Sequence, residues 1–110
     1  MFNFFKSTPK KYQDLNAQDF LAGMKGADAV IIDVRMPGEF ASEKIPGARN
    51  INVMGSFKKS IENLPRDKSY YLYCRSGSRS GQACSIMADM GFEKVTNLKG
   101  GIMSWPFETA

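Results

Sequence analysis

Apolar positions along this chain keep changing their period, and each change marks an element. Ala29-Val30-Ile31-Ile32-Asp33-Val34 is a nearly unbroken apolar run, the pattern of a parallel strand buried on both faces. Tyr70 to Tyr73 and Lys94-Val95-Thr96-Asn97-Leu98 predict two more strands. Lys11 to Leu15 and Arg49 to Val53 predict two short ones, the first at a sheet edge. Between these runs the spacing becomes helical. Asn16 is a good N-cap with Asp19 three residues on, Phe20, Leu21 and Met24 share a face, and Gly26 stops the helix. Pro37 to Ala41 predicts a short helical turn and Ile45 to Ala48 a tight one. Ser56 caps a helix over Phe57 to Leu64 that Pro65 terminates. A further helix runs from the turn after Cys74 to about Met90, with Gly91 as its C′ residue, and Gly100-Gly101 opens a last short one ending at Trp105-Pro106. Strands alternating with helices predict one α/β domain over residues 11–110, a largely parallel sheet of about five strands flanked by helices, with residues 1–10 as an N-terminal tail. Such sheets bind ligands beyond the carboxyl ends of their strands.

Composition narrows the chemistry. A length of 110 residues, 43% apolar and 24% charged, suits a single ordinary globular domain. The net charge of +4 comes from scattered bases, so small anionic substrates fit it and a nucleic-acid stripe does not; Lys58-Lys59 reads as a wet helix face. Two cysteines make no disulfide framework and point to free thiols in a reducing, cytoplasmic setting. Histidine is missing altogether, which excludes Cys-His and Ser-His catalysis and any His-based metal site. Met1-Phe2-Asn3-Phe4-Phe5-Lys6 is too short for a signal peptide or a membrane span, so no membrane association is expected. A monomer is expected.

The strand Tyr70 to Tyr73 delivers Cys74 into a small, polar, twice-basic turn, Arg75-Ser76-Gly77-Ser78-Arg79-Ser80, before the helical pattern begins. A cysteine at a strand end over a helix start sits among backbone N–H groups, which bind anions and favour thiolate over thiol. Gly77 lets the backbone curl so that successive N–H groups face inward, and Arg75 and Arg79 add positive charge. Cys74 therefore reads as a nucleophile for an anionic substrate rather than as a packed structural thiol. Arg79 is expected to brace the turn through a carboxylate such as Glu39, while Arg75 points to solvent or meets substrate by charge alone. Asp33 and Arg35 are expected to pair with each other and support the site. Cys84 lies on the apolar side with Met87 and reads as core packing, as do Met87, Met90 and Met103; Trp105 and Phe107 cover the core or line the cleft rim.

Four spaced motifs carry a resemblance over nearly the whole chain. They are Asp33-Val34-Arg35 with Glu39-Phe40, Ile45-Pro46-Gly47-Ala48-Arg49-Asn50-Ile51, Cys74-Arg75-Ser76-Gly77-Ser78-Arg79-Ser80, and Leu98-Lys99-Gly100-Gly101 with Trp105. In this order they resemble the single-domain rhodanese (thiosulfate sulfurtransferase) family. The chain departs from the family in one place, where Glu43-Lys44 stands instead of the frequent Gly-His before Ile-Pro-Gly.

The resemblance implies a three-layer rhodanese-like fold and a two-step transfer without metal or organic cofactor. The Cys74 thiolate attacks the outer sulfur of a donor such as thiosulfate, sulfite leaves, and the persulfide passes its sulfur to cyanide or a thiol, small or on a protein. The six-residue turn from Cys74 to Arg79 is one residue shorter than that of phosphatases sharing the fold, which favours attack on sulfur; its two arginines favour thiosulfate over mercaptopyruvate. The competing readings are a persulfide carrier or interaction module with little thiosulfate turnover, an arsenate- or phosphate-directed enzyme, and a redox protein using Cys84 as resolving thiol.

Overall fold

The computed structural model describes residues 10–110, so the tail expected over residues 1–10 lies almost wholly outside the described residues. Five strands, β1 (Gln13–Leu15), β2 (Ala29–Asp33), β3 (Arg49–Asn50), β4 (Ser69–Tyr73) and β5 (Lys94–Leu98), form one all-parallel sheet in the order β1-β5-β4-β2-β3. Four α-helices accompany them: α1 (Ala17–Gly23), α2 (Pro37–Ser42), α3 (Phe57–Ile61) and α4 (Ser78–Asp89), with a 3-10 turn over Ile102–Ser104.

Side-chain alternation along the strands sorts the core into two layers. Ile32 and Val34 of the β2 segment, Tyr70, Leu72 and Cys74 of the β4 segment, and Val95 of β5 pack with Phe57 and Ile61 of α3 and Ala83, Cys84 and Met87 of α4. Tyr73 and Leu98 face the other way, against Phe20 of α1, Ile45, Ile102 and Trp105. The result is the expected three-layer α/β arrangement. Asn16 caps α1 as anticipated, its side chain accepting from the Asp19 N–H at 2.8 Å.

Several elements differ from their sequence-based expectation for local reasons. The strand expected over Arg49 to Val53 keeps regular pairing only at Arg49 and Asn50. The Asn50 side-chain amide donates to the carbonyls of Asp33 and Arg35 at 2.9 and 2.8 Å, so the Val53 N–H bonds to the Val34 carbonyl instead of the next one along the ladder. Helix α3 ends at Ile61 rather than Leu64, because a proline disfavours helical backbone at the residue before it, and the Leu64 N–H closes a turn onto Ile61. Met103 is exposed rather than part of the core, since it sits on the outer side of the 3-10 turn. Glu43-Lys44 meets the C-terminus here: the Lys44 and Ala110 backbones exchange two hydrogen bonds.

Candidate active site

Strand β4 lies between β5 and β2 and ends one residue before Cys74, which places the sulfur in the middle of the sheet's carboxyl edge. The chain then turns through Arg75, Ser76 and Gly77 and enters α4 at Ser78. Ser78, Arg79 and Ser80 are thus the first turn of a helix, not part of an open loop. Gly77 is the N-cap, with a φ of 103° that side-chain-bearing residues rarely adopt. Its N–H points at the Cys74 sulfur from 3.1 Å. Gly101 supports the turn from behind: any Cβ there would run into the Arg75 carbonyl, which accepts the Met103 N–H at 3.0 Å.

Cys74 is buried, and burial alone pushes its thiol up. The Ser80 hydroxyl, 3.3 Å away, and the backbone N–H groups of Ser80, Gly77 and Ser76 outweigh that cost, so the thiol is held below its ordinary value. Arg79 adds its charge nearby. Its guanidinium grips both Glu39 oxygens, at 2.8 and 3.1 Å, and Glu39 also accepts the Met36 N–H at 3.0 Å. That grip pulls Glu39 down to about 2 and ties α2 to α4. Arg75 projects into solvent.

Asp33 and Arg35 are paired and buried. The carboxylate takes the Arg35 backbone N–H at 2.9 Å and the guanidinium through Nε at 3.0 Å and Nη2 at 2.7 Å. Arg35 also donates to the Glu43 carbonyl and lies over the Tyr73 ring. These contacts shape the end of β2 and run away from Cys74, so the pair supports the edge without joining the thiol. Cys84 is buried behind Cys74, and burial drives its thiol up, which keeps it protonated and inert. Among the described residues, no group of three or more His, Cys, Asp or Glu is arranged to hold a metal ion.

One member of the site escaped the sequence reading. Asn97, on β5, is 5% exposed, and its Oδ1 accepts the Ser80 hydroxyl at 2.5 Å. Its amide nitrogen donates to Asp14 at 2.9 Å and to the Gly77 carbonyl at 3.3 Å. The available signal was its parity: Asn97 points to the same face as Val95, towards α4, where a lone polar residue in an apolar layer needs partners.

Residues 16–107 match the rhodanese-like domain. The chain belongs to the rhodanese family. It is 38% identical over 78 residues to a sulfurtransferase of Allochromatium vinosum, covering 71% of this chain and 72% of that one. It is 43% identical over 79 residues to YtwF, a putative sulfurtransferase of Bacillus subtilis, covering 72% and 75%. A rhodanese-related protein from Thermoplasma volcanium superposes with a TM-score of 0.79 at 29% identity, over 90% of this chain and 98% of the other. Both curated relatives of the rhodanese domain, from Allochromatium vinosum and Bacillus subtilis, carry sulfurtransferase names. No helix among the described residues is long and apolar enough to cross a membrane.

Proposed function

We propose that this rhodanese transfers sulfane sulfur through a Cys74 persulfide, with thiosulfate or a similar anionic compound as donor. The observation that carries the reading is the set of donors around one sulfur: the Gly77 N–H at 3.1 Å, the backbone N–H groups of Ser76 and Ser80, and the Ser80 hydroxyl at 3.3 Å, which Cys74 shares with Asn97. The thiolate attacks the outer sulfur of thiosulfate, an S–S bond forms to Cys74, and the donor's S–S bond breaks with its electron pair leaving on sulfite. The acceptor's thiolate or cyanide then takes the outer sulfur, and Cys74 departs as thiolate. The same N–H groups stabilise thiolate and persulfide in turn, and Arg75 and Arg79 offset the charge of donor and leaving group.

Steady-state turnover of thiosulfate and cyanide tests this. Parallel double-reciprocal lines are expected, with activity abolished in Cys74→Ser and retained in Cys84→Ser, and with no hydrolysis of an aryl phosphate. Phosphate hydrolysis in place of sulfur transfer would overturn the reading. A persulfide that forms stoichiometrically but turns over slowly would favour the carrier role.

A further inference from the structure

Three of the four large hydrophobic side chains exposed among the described residues are methionines, and all three follow strands on the edge that carries Cys74. Met36, Met54 and Met103 are 52%, 69% and 62% exposed. Each sits just past the carboxyl end of a strand: Met36 after β2, Met54 after β3 and Met103 after β5, with Cys74 after β4 between them. Their backbones fix them there. The Met103 N–H bonds to the Arg75 carbonyl, the Met36 N–H to Glu39, which grips Arg79, and Met54 follows Val53, whose N–H bonds to Val34. At the usual strand spacing, β5 to β3 spans about 15 Å, the width of a bound peptide segment or helix rather than of thiosulfate. Next to Met54 in the chain, Val53, Phe57, Lys58 and Lys59 line an apolar hollow of about 430 Å³ with Ile86 of α4.

Positive charge is in excess on this edge. Asp33 and Glu39 are already taken by Arg35 and Arg79. Arg75, Lys58, Lys59 and Lys99 are exposed; Asp14 lies within charge range of Lys99 and Glu62 one helical turn beyond Lys58, so Arg75 beside Cys74 and one charge of the lysine pair are left in excess. Methionine suits a surface that must fit another chain, being unbranched and polarisable.

Building on the sulfur-transfer reading, we propose that this methionine-bearing basic edge docks a protein sulfur acceptor: an acidic segment with apolar side chains around its reactive cysteine. The apolar side chains lie across Met103, Met36 and Met54, the acids meet Arg75, Lys58 and Lys59, and the acceptor thiolate reaches the outer sulfur of Cys74. One S–S bond forms on the acceptor as the bond to Cys74 Sγ breaks, and Cys74 retains the electron pair as thiolate.

The test uses the full chain, loaded with thiosulfate and weighed intact before any acceptor is added. Two cysteine peptides of equal length serve as acceptors, one flanked by Glu and Leu, the other by Lys and Ser, with free cysteine as a small-thiol control. The acidic peptide should discharge the persulfide about tenfold faster than the basic one at low salt, and the gap should close at high salt. The triple variant Met36→Gln, Met54→Gln and Met103→Gln should lose most of that advantage while discharging to free cysteine at the wild-type rate. Equal rates for both peptides on fully loaded protein would overturn the docking surface and leave sulfur transfer standing. A protein that never loads would instead sink the transfer reading. Docking is then read from fluorescence anisotropy of the acidic peptide with Cys replaced by Ser, where Lys58→Glu with Lys59→Glu should weaken binding about tenfold. Binding indifferent to those charges and to salt would also overturn the proposal.

Discussion

Cys74 and Asn97 compete for one proton, that of the Ser80 hydroxyl. Asp14 and the Gly77 carbonyl hold the Asn97 amide so that its oxygen faces Ser80, and at 2.5 Å it is the nearer acceptor. The sulfur lies 3.3 Å from the hydroxyl, and as a thiolate it is the stronger, charged acceptor. The pH profile of Cys74 alkylation, followed in a Cys84→Ser background, should therefore have its midpoint below the value of about 8.5 for free cysteine. Ser80→Ala removes a donor to the thiolate and should move the midpoint up. Asn97→Ala frees the hydroxyl for the sulfur and should move it down; an unchanged midpoint in both variants would contradict the competition. This control was not legible in the sequence, because Asn97 is 23 residues from Cys74 and reaches it only through the parallel pairing of β4 with β5. Cys74 itself was legible, since a thiol between a β run and a Gly-containing basic turn already fixes the kind of backbone around it.

Arg79 and Glu39 make two separate elements into one support. Helix α2 buries none of its residues, so its place beside α4 rests on this bidentate pair and on the backbone around Met36. Glu39 lies lower in the folded chain than unfolded, so its contribution is present above the ordinary carboxylate range and is lost as pH falls from about 4.5 through about 2. Glu39→Gln should lower Tm by about 4 °C at neutral pH, as expected for a partly exposed ion pair. The difference from wild type should shrink as thermal scans are repeated at lower pH. Arg79→Ala should slow persulfide formation by about tenfold or more, the scale of one lost charge-assisted contact. Sequence reasoning anticipated this pair from residue chemistry, but it placed Ser78, Arg79 and Ser80 on a loop; the left-handed Gly77 starts the helix earlier than the apolar periodicity does. It also extended β3 to Val53, because strand propensity does not show a side-chain amide taking a ladder carbonyl. Gly101→Ala tests the other support. A Cβ pressed against the Arg75 carbonyl, at a φ of 64°, should cost about 1–3 kcal/mol and lower Tm and persulfide yield together.

At the scale of the whole molecule, the parallel sheet does the arranging. Alternation of apolar runs with helical spacing announced the α/β class but not the strand order: β4 lies between β5 and β2, so its carboxyl end opens where the segments after those two strands flank it. What the sequence could not show was which methionines would be inside. Met87 and Met103 look alike in composition, yet one is buried on the inner face of α4 and the other faces solvent, its N–H bonded to the Arg75 carbonyl. The proposed docking surface rests on that difference. The most direct measurement is the intact mass of the protein after thiosulfate, for wild type, Cys74→Ser and Cys84→Ser. Wild type and Cys84→Ser should gain one sulfur atom and Cys74→Ser none, and cyanide should return the loaded proteins to their starting mass. A sulfur retained in Cys74→Ser, or no adduct on wild type with thiosulfate or any other sulfane donor, would contradict sulfur transfer through Cys74.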